Sequence, residues 1–189
     1  EQDTLGGVTS IDHYHTLVRR VDDFSAGVLR EYGSSMACSP GCGSCCILET
    51  VNAVESWMLL KHAASLEPMR MKALSHRAAE PFHEGQACVL LENGLCVLYE
   101  ARPLICRTHG LPVFVDGAVD FCPKNFTGLS RIESPFILGL ESLNTMLGAI
   151  NLRFQREHPA PFFQKERFIL RELFKRPVAD VLAEERPLE

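Results

Sequence analysis

The chain has 189 residues, 46% apolar and 23% charged, with 24 acidic against 19 basic side chains and a net charge of −5. It is too apolar for a disordered chain and long enough to bury about 70% of its unfolded surface without covalent staples. No apolar run is long enough to span a bilayer, and the acidic balance argues against a nucleic-acid coat while leaving room for a local basic patch.

In chain order, residues 10–32 predict an amphipathic helix, because Ile11, Tyr14, Val18, Val21, Val28 and Tyr32 recur at helical steps. Thr9 or Ser10 can cap its start and Gly33 can end it. The Gly/Ser/Cys/Pro-rich stretch 33–46 predicts a tight loop. A second helix is expected over 50–63, with Asn52 and Glu55 as a capping pair. A third is expected over 66–80, started by Ser65 and stopped by Pro81. Asn93-Gly94 and Asp116-Gly117, each between apolar residues, predict two hairpins. A helix is expected from Ser134-Pro135 to His158, another over about 162–175, and then a polar tail from Pro177. The fold class is therefore mainly α with small β-hairpins: a helical shell around a cysteine-rich loop and hairpin core. One domain, 1–189, is expected, with a metal-binding region at 36–123 and a C-terminal helical region at 130–189.

The eight cysteines carry the functional signal. Cys38, Cys42, Cys45, Cys46, Cys88, Cys96, Cys106 and Cys122 all fall between positions 38 and 122, and the first four lie within nine residues. Four disulfides would use an even number of cysteines. Yet a chain of this size does not need them, and adjacent Cys45 and Cys46 can pair with each other only across a strained peptide. Cys42-x-x-Cys45 is a chelating spacing for zinc or for iron–sulfur clusters. All eight are candidate metal ligands. Thiolates need nearby positive charge, and Arg102 and Arg107 flank Cys106. They are candidates to stand behind the ligands, donating to sulfur or to backbone carbonyls.

These residues resemble a known family. Cys38-Ser-Pro-Gly-Cys42-Gly-Ser-Cys45-Cys46, then Cys88 and Cys96, then Tyr99-Glu-Ala-Arg102-Pro-Leu-Ile-Cys106-Arg107, then Cys122-Pro123, resemble the YkgJ-type cysteine-cluster proteins. The hallmark of that family is C-x-x-C-x-x-C-C followed by Y-x-x-R-P-x-x-C-R; here the first gap holds three residues. The resemblance covers about residues 36–123 and implies zinc or iron chelation. Flagellin lysine N-methylases resemble the same domain, which implies a second possibility, S-adenosylmethionine-dependent methylation of protein lysines.

The number of metals is open: one four-thiolate site with spare thiols, or two sites with Cys45 and Cys46 going to different ions. An iron–sulfur cluster is favoured over zinc, because Cys42, Cys45 and Cys46 with a remote Cys122-Pro123 are loosely similar to the bacterial ferredoxin pattern. His13 and His15 fall on different helix faces. His109 is the best non-cysteine ligand candidate, and Glu49 and Glu100 lie near the cysteines. Whether the chain is an enzyme is left open. The readings in competition are a metal-binding module in a redox, metal-handling or structural role, a lysine methyltransferase, and an exported disulfide-stapled domain. A protein partner is left open, no nucleic acid or membrane span is expected, and the expected setting is cytoplasmic. Because the chain starts at Glu1, a removed export leader stays open.

Overall fold

A computed structural model describes residues 7–83 and 85–184. The first helix, α1, runs Ser10–Tyr32. Thr9 caps it: its hydroxyl accepts the Asp12 N–H at 3.2 Å, and Asp12 Oδ2 accepts the Thr9 N–H at 2.9 Å. Its inward stripe is Tyr14, Leu17, Val21 and Val28. A short strand, β1 (Thr50–Val51), precedes α2 (Ala53–Ala63), which Asn52 caps through the Glu55 N–H as the sequence predicts. Helix α3 (Pro68–Ala79) starts later than expected. Glu67, not Ser65, accepts its first free N–H groups; the Ser65 hydroxyl instead donates to the His62 carbonyl at the end of α2.

Strands β2 (Leu91–Glu92) and β3 (Leu95–Cys96) form the first hairpin. Asn93 and Gly94 have φ of 50° and 79°. Both central residues are thus left-handed, as a two-residue turn matched to strand twist requires. A five-residue helix, α4 (Leu104–Thr108), carries Cys106. The second hairpin, β4 (Val113–Val115) and β5 (Ala118–Asp120), turns at Asp116-Gly117.

The C-terminal third departs from the periodicity. Ser134–Phe136 is a single 3-10 turn, and β6 (Leu138–Gly139) then adds in parallel to β4, so α5 begins only at Leu140 and ends at Glu157. No helix spans 162–175. Pro161–Gln164 is a 3-10 turn, β7 (Phe168–Ile169) pairs antiparallel with β1, and Arg171–Phe174 is another turn. The Leu170 N–H also reaches the Glu49 carbonyl at 2.7 Å, so pairing with the 49–51 segment satisfies the backbone where a helix would otherwise do so. The segment expected as a polar tail contains α6 (Val178–Ala183), with Val178 and Val181 buried, while 185–189 lie outside the described residues.

Mainly α with small hairpins is the class observed. Two apolar clusters organise it. The large one joins α1, α2, α3, the first hairpin, α4, α5 and the C-terminal turns, with Leu59, Phe154, Phe163 and Phe174 fully buried. The small one centres on Val28, Leu111 and Phe126 and is edged by Met36 and Phe121. Among the described residues no helix is long and apolar enough to cross a membrane.

Candidate metal centre

Four pieces of chain bring the sulfurs together: the 38–46 loop, the first hairpin, α4, and the turn after β5. Glycines seat the loop on the hairpin. A Cβ on Gly94 would stand 3.3 Å from the Gly41 Cα, and one on Gly43 would stand 3.0 Å from Leu91. Gly41 itself has φ of 95°, which a residue with a side chain adopts at a cost. The Cys88 N–H donates to the Cys46 carbonyl at 2.7 Å, which ties the loop to the strand leading into the hairpin.

Two sets of thiols emerge. Cys88 and Cys96 pack against the large apolar cluster. Burial pushes the Cys88 thiol up to about 11, and neighbouring Cys96 and Cys46 raise it further. Cys106 is held far higher still, first by burial and then by charge on Cys88, Cys96, Glu55 and Cys46. Burial also raises Cys96, with Arg102 acting the other way, and it raises Cys46 ahead of the effects of Cys96 and Cys42. Cys46 also shares a side-chain hydrogen bond with Cys45, so the adjacent pair links these thiols to the rest of the loop.

The other set is more open. Cys38 and Cys45 are exposed. Cys45 is raised by burial and by Cys46, then by Cys38 and Cys42. Cys42 is lowered, chiefly by the backbone N–H of Ser44. The segment after Cys122 reaches across to this set. Asn125 Nδ2 donates to Cys38 Sγ at 3.1 Å and to the Gly110 carbonyl at 2.8 Å, while its Oδ1 accepts the Ala37 N–H at 2.8 Å. Lys124 Nζ donates to Ser44 Oγ at 2.7 Å, and that hydroxyl lies 3.9 Å from Cys42 Sγ. Gly110 closes the arrangement. A Cβ there would stand 2.8 Å from Cys38 Sγ and 3.9 Å from Cys122 Cβ.

All eight cysteines are free thiols. Among the described residues no three His, Cys, Asp or Glu side chains are grouped closely enough to hold one ion. A finished ligand shell therefore needs cysteine side chains to rotate toward one another. The donor chemistry fits a thiophilic metal, since each set offers four sulfurs and no competing carboxylate ring.

The arginines bond to backbone. Arg107, its side chain 7% exposed, pairs with Asp22 on α1 and donates to the carbonyls of Arg102 and Glu100 at 3.0 and 2.5 Å. Arg102 stacks on Tyr99, its guanidinium carbon 4.0 Å from the ring centre, and donates to the Tyr99 carbonyl. Glu49 and His109 line a separate cavity of about 540 Å³ together with Glu55, Asn144 and Arg167. Burial depresses His109. Asn125, Lys124, Gly110 and Asp22 escape a reading by motif. The Cys-Pro-Lys-Asn run places Asn125 beside Cys122, but its reach to Cys38 is a long-range contact.

Residues 37–123 match the model of the CxxCxxCC family, described as a "putative zinc- or iron-chelating domain". Over those residues the chain is similar to the CxxCxxCC domain. No curated protein and no solved structure matches the chain. The matched span of the CxxCxxCC domain includes all eight cysteines, Arg102 and Arg107, and ends just before Lys124 and Asn125. The two apolar clusters that hold it in place also draw on helices outside that span, α1 before it and α5 after it.

Proposed function

We propose that the protein binds zinc or iron through its cysteine thiolates, with an iron–sulfur cluster the favoured form. The reading is carried by one observation: eight unbridged thiols lie on four separated chain segments that fold back on one another, with Cys88 and Cys96 packed against the large apolar cluster. Thiolates that close together repel one another, and a cation between them removes that repulsion. Cys38, Cys42, Cys45, Cys46, Cys88, Cys96, Cys106 and Cys122 would hold the metal. Arg102 and Arg107 would keep α4 and Cys106 in position and offset negative charge. A bound iron–sulfur cluster would supply one-electron chemistry, whereas zinc would lock the loop and hairpin together.

Elemental analysis with an optical spectrum on anaerobically purified protein tests this. Absorption near 400 nm that dithionite bleaches, with iron and sulfide present, supports the cluster. Colourless protein with stoichiometric zinc supports the lock. Metal-free protein whose denatured chain has almost no free thiol supports the disulfide reading and overturns chelation. A second reading, methyl transfer from S-adenosylmethionine to a protein lysine, draws on the cavity lined by Glu55, His109 and Arg167 beside α4. Transfer of labelled methyl to a lysine-bearing protein tests it.

A further inference from the structure

We propose that the thiols form two metal sites that meet at the Cys45–Cys46 junction: an inner site of Cys46, Cys88, Cys96 and Cys106, and an outer site of Cys38, Cys42, Cys45 and Cys122. The inference rests on the metal-binding reading above and goes further, assigning ligands to sites and separating their behaviour.

The anchoring members of the two sets rest on different packing units. Cys88 and Cys96 lie against the large apolar cluster, and Cys46 is tied to them by the Cys88 N–H to Cys46 carbonyl bond at 2.7 Å. Cys106 sits on α4, whose first residue, Leu104, is buried in the same cluster and whose Arg107 is anchored to α1. Cys38 and Cys122 of the outer set adjoin the small cluster. Met36 and Phe121, which edge that cluster, come shortly before Cys38 and directly before Cys122. Tyr32, Phe121 and Phe126 meet edge to face with ring centres 5.2–5.9 Å apart. The Phe126 N–H donates to the Ser35 carbonyl at 2.6 Å, which clamps the two cysteine-bearing ends together. Asn125 bridges Ala37, Cys38 and Gly110, and Lys124 reaches Ser44 beside Cys42.

Charge and exposure differ as well. Each zinc displaces four thiol protons to the buffer and leaves a dianionic unit. At the outer site the Lys124 ammonium and the Asn125 amide N–H groups face that charge. The inner site has less water around it and sits on packed structure. Cys38 and Cys45, both exposed, open the outer site to competing ligands. The outer metal therefore exchanges quickly and the inner metal slowly, the pairing expected of a site that passes metal on beside one that holds the fold.

The test uses the full chain, stripped of metal under anaerobic conditions and titrated with zinc alone. Two zinc ions per chain are expected, released to a chromogenic chelator in a fast and a slow phase of equal size. C38S/C122S is expected to lose one equivalent and the fast phase. C88S/C106S is expected to lose the slow phase. Since that variant removes packed side chains, the wild-type protein supplies a second measurement, cysteine alkylation mapped during chelation. Cys38, Cys42, Cys45 and Cys122 are then modified together in the fast phase, and Cys46, Cys88, Cys96 and Cys106 together in the slow one. A single zinc per chain, or any other grouping of modified cysteines, overturns the partition while leaving metal binding intact. Failure to take up zinc or iron at all overturns the metal reading and the partition with it.

Discussion

Arg107 Nη1 lies 2.7 and 2.9 Å from the two carboxylate oxygens of Asp22, joining α4 to α1 across 85 positions of sequence. The same guanidinium satisfies two backbone carbonyls in the turn that leads into α4. Because the arginine is nearly buried and the aspartate is not, removing the arginine costs more than removing its partner. R107A leaves two carbonyls without their donor and is expected to destabilise by about 3 kcal/mol. D22N is expected to cost about 1 kcal/mol, since an exposed partner contributes little. Urea denaturation checks both, and equal losses for the two would contradict the asymmetry. R107K restores charge without the planar fork and is expected to recover only part of the loss.

Gly110 and Gly117 separate two kinds of glycine requirement. Both have left-handed φ, 85° and 78°. A methyl group on Gly117 meets nothing within 4 Å, whereas one on Gly110 meets Cys38 Sγ and Asn125 Nδ2 at 2.8 and 3.0 Å. G117A therefore carries backbone strain alone, about 1 kcal/mol. G110A carries strain plus a clash, about 3 kcal/mol in total. Thermal melts give the stability difference. Metal analysis gives the specific sign: G110A binds less metal and G117A binds as much as the parent.

Asn125 is 1% exposed and every polar atom of its amide is used. N125L keeps much of the bulk and removes three hydrogen bonds, leaving the Ala37 N–H without its acceptor. The expected cost is about 2 kcal/mol, with faster alkylation of Cys38 in the metal-free protein. Unchanged Cys38 reactivity would remove Asn125 from the account of that thiol.

Glu55 is 4% exposed, and its carboxylate accepts the Leu104 N–H at 2.9 Å. Burial raises it above the ordinary 4.5, partly countered by the Leu104 and Asn52 N–H groups. A folded value above the unfolded one means that stability from the neutral acid is complete below the unfolded value. It is lost as pH rises through the folded value. E55Q stays neutral and keeps an acceptor for Leu104. Its stability relative to the parent is expected to rise between about pH 4 and pH 7. Paired urea midpoints at those pH values check this, and a relative stability that falls with pH would refute the sign.

What the sequence alone determined was local. The Thr9 and Asn52 caps, both left-handed hairpin turns and the clustering of the cysteines in one stretch of chain follow from side chains and backbone within a few residues, and the sequence supplies all of these directly. The tertiary structure decided what depends on distant partners. Phe168 and Ile169 carry apolar spacing that a helix could use, yet pairing with Thr50 and Val51 makes them a strand. Arg107 reads as a neighbour of Cys106, but Asp22 on another helix sets where it bonds. The proposed division of the thiols into two sites is of the same kind. Cys45 and Cys46 are adjacent in sequence, and which sulfurs each one faces depends on how the hairpin and the Cys122 turn fold back, through contacts whose cost and reward no local pattern contains.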